Sequence, residues 1–252
     1  MTSKRKKIPA SYREREYRKI PDTNGLHSCQ VTVRETDLHI LAPINVAEDA
    51  TNLIVQYRTQ LENYIANRPG FVDALLPLGD DPTAAPLIRE MLKAGIAARV
   101  GPMAAVAGVI AEYVGRGLLE REDCNEVVIE NGGDIFIQRN KDCTVAIYAG
   151  ESPLSYKIGI KVPAENMPIG ICTSSGTVGH SLSFGQADSV TVLARSTALA
   201  DATATRLGNE VGRSGDIGPA LEFAADIPGL TGVVIIIGEE LGAWGQVELV
   251  EI

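Results

Sequence analysis

Apolar positions recur along this chain with two periods. Between Ala47 and Arg68, Leu53, Ile54, Tyr57, Leu61, Tyr64 and Ile65 return every three or four residues, which predicts a helix that Arg68-Pro69-Gly70 closes. Near alternation over His27–Leu41, with Val31, Val33 and Leu38 among the apolar positions, predicts one strand. Residues 71–86 are rich in Pro and Asp and read as a loop or short turns. A second helix is expected from about Pro86 to Ala97. A third follows after Gly101, with Pro102 in its first turn and small residues (Ala104, Ala105, Ala107, Gly108, Ala111) along it.

The second half is richer in strands. Glu126–Gln138 reads as strand, tight turn, strand, because Asn131, Gly132 and Gly133 tolerate positive φ. Strands are expected at Cys143–Tyr148, Tyr156–Val162 and Gly232–Ile237, and a single closing strand at Ala243–Ile252. Ser196 or Thr197 caps a helix running to about Val211, and a short helix covers Pro219–Ala225.

Charge is unevenly spread. The net charge is -9, yet Lys4–Lys19 hold eight of the 23 basic and two of the 32 acidic residues. That leaves a strongly acidic body, which argues against a nucleic-acid binder, and a basic arm at 1–22 ahead of a domain at 23–252. The four cysteines form no CxxC pair, so neither a zinc site nor a disulfide framework is expected. No run reaches 18 apolar residues and none follows the basic start, so the expectation is a cytoplasmic protein without a membrane segment. Nothing in the sequence decides against a homo-oligomer.

The chemistry gathers between Ile171 and Asn209. Asp201 is the only charge in the run Ala198–Thr205, and an unpaired buried carboxylate costs on the order of several kcal/mol. It therefore needs a metal ion, a basic partner such as Arg195 or Arg206, or backbone N–H groups. Thr205 lies four residues on, on the same helix face, so the pair suits a hard cation such as Mg²⁺. Cys172–Gly179 offers hydroxyls and open backbone to an anion, flavin or nucleotide, or is simply a turn. His180 follows as a candidate acid/base, with Asp188 eight residues beyond it. Ser181 and Ser183 lack a G-x-S-x-G setting, which disfavours hydrolase chemistry through a serine.

Five motifs in order, Gly101–Glu112, Asn131–Ile135 (NGGDI), Thr173–Gly176 (TSSG), Ser189–Val192 (SVTV) and Ala200–Thr205 (ADATAT), resemble the ApbE superfamily of FAD:protein FMN transferases. The chain is more closely similar to the UPF0280 branch, including its YREREYR arm and RETDL segment. The resemblance implies an α+β fold of antiparallel sheets with packed helices in two intertwined halves. It also implies Mg²⁺ on Asp201 and Thr205. FAD, or a related pyrophosphate-bearing nucleotide, would lie against Asn131, Gly132, Gly133 and Asp134 and against Thr173, Ser174, Ser175 and Gly176. The departures are specific. Gly101 and Ala107 stand where the family pattern D-x-x-x-x-x-K-G has an acid and a lysine, and the H-I-x-D-P segment is missing. Two functions follow: an ApbE-like transferase or pyrophosphate hydrolase, or a binding and assembly component that could use Cys172 as a carrier thiol in sulfur assimilation.

Overall fold

The computed structural model describes residues 25–176 and 185–252. The arm at 1–22 and His180 lie outside the described residues. The first described strand already departs from the sequence reading. His27–Leu41 is a hairpin of β1 (His27–Val33) and β2 (Thr36–Ala42), with Val33 opposite Thr36. Arg34 turns the chain at φ 54, a conformation that costs a non-glycine residue roughly 1 kcal/mol or more. Contacts from α1 (Ala47–Asn67) hold it there. Arg58 donates to Glu35 at 2.6 Å and to Thr36 Oγ1 at 2.9 Å, and Arg34 donates to Glu62 at 2.8 Å. The turn thus depends on a helix more than twenty residues away, and no local glycine or asparagine announces it.

α1 ends at Arg68-Pro69, and a single turn, α2 (Gly70–Asp73), follows. α3 (Pro86–Ala98) begins on its proline. Pro102–Ala105 forms a 3-10 turn that leads into α4 (Val106–Leu119). By length and composition, Pro102–Leu119 is apolar enough to cross a membrane, but over half of it is buried inside the molecule. Core packing accounts for its composition.

The strands β3 (Val127–Asn131), β4 (Asp134–Gln138), β5 (Cys143–Ala146), β6 (Ile158–Val162), β7 (Ile169–Ser174) and β8 (Ser189–Ala194) precede α5 (Thr197–Glu210) and α6 (Ile217–Ala225). β9 (Leu230–Ile237), β10 (Glu240–Gly245) and β11 (Glu248–Glu251) complete the chain. Eight strands make one sheet in the order β1-β2-β3-β4-β7-β8-β9-β10, and β11-β6-β5 make a second. Every pairing is antiparallel.

The layers follow from strand alternation. Val233 and Ile235 pack with α5 and α6, while Val234 and Ile236 pack with Ile160 and Val162 of the small sheet. β8 is buried on both faces, which explains its unbroken apolar and hydroxyl character. α1, α3 and α4 share a further core with β1–β3. The result is a mixed helix-and-sheet architecture of antiparallel sheets with packed helices.

The C-terminal end is a second correction. Ala243–Ile252 is split between the two sheets, because Gly245 (φ 88) turns the chain away from the edge of the large sheet. A Cβ on Gly245 would lie 2.4 Å from Thr231 O, so only glycine fits at the switch.

Candidate functional site

α4 and α5 begin beside one another and cap each other. The residue before α4, Ala105, has no side-chain acceptor for the free N–H groups of the first turn. Asp201 supplies it from α5: its Oδ2 accepts the Gly108 N–H at 2.8 Å. In return Glu112 Oε2 accepts the Thr197 N–H at 2.7 Å, and Ser196 Oγ accepts from Leu199 at 3.3 Å. The helices can come this close because Gly108 has no side chain. A Cβ there would sit 2.5 Å from Thr197 O and 2.8 Å from Asp201 Cβ. Of the three partners open to Asp201, the structure uses backbone N–H groups. Arg206 pairs with Glu210, and Arg195 is exposed.

The glycine turn is fastened to the same place. Gly132 (φ 70) and Gly133 (φ 114) both take positive φ. Asn131 Nδ2 donates to Ala107 O at 3.0 Å, and Thr173 N donates to Gly133 O at 3.2 Å. Glu130 accepts the Gly133 N–H at 3.1 Å. The turn, the start of α4 and the end of β7 therefore form one connected rim.

Behind that rim lies a buried acidic cluster. Asp134 stands opposite Cys172 in the β4–β7 pairing, and both are buried. The Cys172 thiol also lies 3.4 Å from Thr197 O. Burial pushes the Asp134 carboxyl up to about 7, against the thiol hydrogen bond that lowers it, and the Glu130 charge adds to the rise. Asp201 is raised well above the usual range by burial and then by the charge of Asp134, against the N–H groups of Gly108 and Ala107. Burial, with the two aspartate charges behind it, also raises Cys172. Neither aspartate is ion-paired to a basic side chain among the described residues.

The remaining expected site residues separate by strand face. β7 runs on to Ser174, so Thr173 and Ser174 belong to a strand and point to opposite sides. Ser174 lies on the α5 side, where a Cβ on Gly208 would be 2.8 Å from its Oγ. Thr173 bonds Thr191 Oγ1 at 3.0 Å on the other side, continuing to Ser189 at 3.2 Å. Ser175, Gly176 and Thr205 are half-buried. Asp188 accepts the Gly238 N–H at 2.8 Å. Glu112 was missed as a site-building residue. Its signal matches that of Asp201, a lone acid in an apolar helix.

The oxygen donors of this cluster fit a hard cation, whose charge would relieve the buried aspartates. Among the described residues, no three His, Cys, Asp or Glu side chains are placed to hold a metal ion. A cation at Asp201 would thus draw on the Thr205 hydroxyl and non-titrating oxygens.

Known proteins agree with this architecture. The fold is shared with ApbE flavin transferases. The apo flavinyl transferase ApbE of Pseudomonas stutzeri aligns with 87% of this chain and 94% of its own at TM-score 0.57 and 14% identity. The flavin transferase ApbE of Vibrio cholerae aligns with 87% and 96% at TM-score 0.53 and 13% identity. Residues 18–248 match the family model described as AbpE bacteria. A UPF0280 protein of Methanococcus aeolicus is 41% identical over 226 residues, 86% of this chain and 90% of that protein. A UPF0280 protein of Methanocella arvoryzae is 36% identical over 214 residues, covering 85% and 86%. The chain belongs to this ApbE-like UPF0280 family.

Proposed function

We propose that this protein binds Mg²⁺ together with FAD or another pyrophosphate-bearing nucleotide at the rim formed by α4, the β3–β4 turn, the end of β7 and α5. The observation that carries the reading is the pair of buried carboxylates, Asp134 and Asp201, with no cationic partner among the described residues. Asp201 and Thr205 would hold the ion, and bound Mg²⁺ would neutralise pyrophosphate charge. Gly132 and Gly133 leave the turn without side chains, which suits close approach of a ligand. Asn131 positions that turn through Ala107 rather than by reaching outward. Asp134, near 7, holds its proton part of the time at neutral pH. His180 enters this reading from the sequence alone.

The residues at positions 101 and 107 disfavour transfer of a flavin to a protein. Position 101 has no room for the acid of the related pattern, since a Cβ there would fall 1.6 Å from Ala74 O. Position 107 offers a carbonyl to Asn131 where that pattern has a lysine. The four cysteines are free thiols, which suits the cytoplasmic location expected from sequence. The deciding experiment is titration of the full chain with FAD and separately with ADP, each with and without Mg²⁺, followed by flavin fluorescence and calorimetry. Saturable binding that needs Mg²⁺ and is lost in Asp201→Asn supports the reading. Absence of both flavin and ADP binding, with Asp201→Asn differing from wild type only in stability, overturns it.

A further inference from the structure

A cavity lies between α3, α4 and the start of α5, at the opposite end of α5 from Gly208. It measures about 380 Å³ and is lined by Glu90, Glu112, Tyr113, Arg116, Arg195 and Ser196. Its formal charges cancel, but its pairings do not. Glu112 takes Arg116 through Nε at 2.9 Å and Nη2 at 2.8 Å, and also caps Thr197. Glu90 is tied to Lys93 at 3.0 Å. Ser196 Oγ is occupied by Leu199 N–H. Arg195 has no ion-pair or hydrogen-bond partner among the described residues, and the Tyr113 hydroxyl has no hydrogen bond there. The Tyr113 ring is fixed edge-on against Tyr57 at 5.4 Å. Its hydroxyl is pushed up to about 12 by burial and by Glu90 and Glu112, so it stays a donor across the working pH range.

We propose that this cavity binds the carboxylate group of a small organic acid, held by the Arg195 guanidinium with the Tyr113 hydroxyl as a second donor. One uncompensated positive charge calls for a monoanion. A dianionic phosphate would meet about twice the repulsion from the Glu90 and Glu112 carboxylates in the same wall that a monoanion meets. The planar guanidinium fork matches two carboxylate oxygens. The cavity volume leaves room for a body of several carbon atoms behind the carboxylate.

The test is titration of the isotopically labelled full chain with acetate and benzoate, and separately with inorganic phosphate, watched by NMR at the Arg195 Nε–H and the Ser196 amide. Saturable shifts with the carboxylates are expected, with phosphate at least tenfold weaker. Arg195→Gln should weaken carboxylate binding at least tenfold, and Tyr113→Phe several-fold. Arg195 is exposed, so the first variant keeps the fold. Three results overturn the proposal: no saturable carboxylate shift, unchanged binding in Arg195→Gln, or phosphate binding tighter than benzoate. The Mg²⁺ and FAD titration does not depend on any of these outcomes.

Discussion

Asp201 caps a helix that is not its own: its Oδ2 accepts the N–H of Gly108, 93 residues earlier in the chain, at 2.8 Å. The bond needs an acceptor, not a charge, and burial disfavours the charge. Asp201→Asn should therefore fold, within about 1 kcal/mol of wild type. Asp201→Ala should cost about 1–3 kcal/mol, because the Gly108 N–H is left buried and unpaired. Urea midpoints of the two variants measure the difference. Equal loss in both would show that the carboxylate charge itself stabilises the metal-free fold.

The buried carboxylates should make the stability of this protein fall as pH rises. Asp134 is raised from 3.8 to about 7, and Asp201 is raised as well. Between those pH values the unfolded chain has released protons that the folded chain keeps, so rising pH favours unfolding. Their contribution is fully present below about pH 4 and is lost as pH rises through the folded values. Surface acids such as Asp81, Asp123 and Asp216 are lowered and act in the opposite sense, but only as pH falls below the ordinary range. Denaturant unfolding without metal should thus show higher stability near pH 5 than near pH 7.5, by on the order of 1–4 kcal/mol. Asp134→Asn should flatten the slope. A wild-type profile that is flat or rises with pH would refute this account.

If Mg²⁺ binds at Asp201, it should remove much of that penalty. Millimolar Mg²⁺ should raise the thermal midpoint of wild type near pH 7.5 by a few degrees, and hardly at all near pH 5, where protons compete for the carboxylates. Thr205→Ala should weaken the effect while leaving the metal-free midpoint nearly unchanged, since Thr205 is only half-buried. Scanning calorimetry at the two pH values checks this. An equal shift at both would indicate nonspecific salt stabilisation.

Much of this arrangement is legible in the chain, for physical reasons. The helix over Ala47–Asn67 has an apolar stripe, and Asp201 is conspicuous because a charge in an alanine-rich run needs a reason. Glu112 carries the same signal, a lone acid in an apolar helix, but only its bond to the Thr197 N–H shows its role. What escapes is set by distant contacts. The turn at Arg34 carries no turn residue, because Arg58 and Glu62 of α1 hold it. The C-terminal run looks continuous, because the steric reason for its break, Thr231 O against Gly245, is brought there by β9. Thr173–Gly176 reads as a loop by composition, yet its first two residues extend β7, and that alternation sends Thr173 and Ser174 to opposite faces.

Gly101 tests whether the departure from the related pattern is reversible. Its N–H donates to Leu75 O at 3.0 Å, and Ala74 O fills the space a Cβ would take. Gly101→Asp should therefore not rebuild the missing acid. It should displace residues 74–75 from the 3-10 turn that precedes α4 and cost about 2–4 kcal/mol, the range of overpacked and strained sites. Thermal unfolding of Gly101→Ala and Gly101→Asp measures this, and both should fall together because the clash begins at Cβ. Wild-type stability in Gly101→Asp, with stronger Mg²⁺ binding, would contradict the steric explanation.

Cys172 decides the sulfur-carrier alternative. A carrier thiol has to be reached by its partner and has to ionise. Cys172 is buried between Asp134, Asp201 and the Thr197 carbonyl, and burial plus two neighbouring carboxylates push its thiol well above the ordinary cysteine value. A thiolate here would be a buried negative charge beside two acidic side chains, with no cationic partner among the described residues. Under native conditions iodoacetamide should therefore modify Cys172 at least a hundredfold more slowly than a free thiol, and at full rate in denaturant. Cys29 and Cys143, both only half-buried, should react first. Peptide mass mapping over a time course separates the four sites. Rapid modification of Cys172 in the folded protein would reopen the carrier reading, and would require the β7–α5 contact at Thr197 to open on the timescale of the labelling.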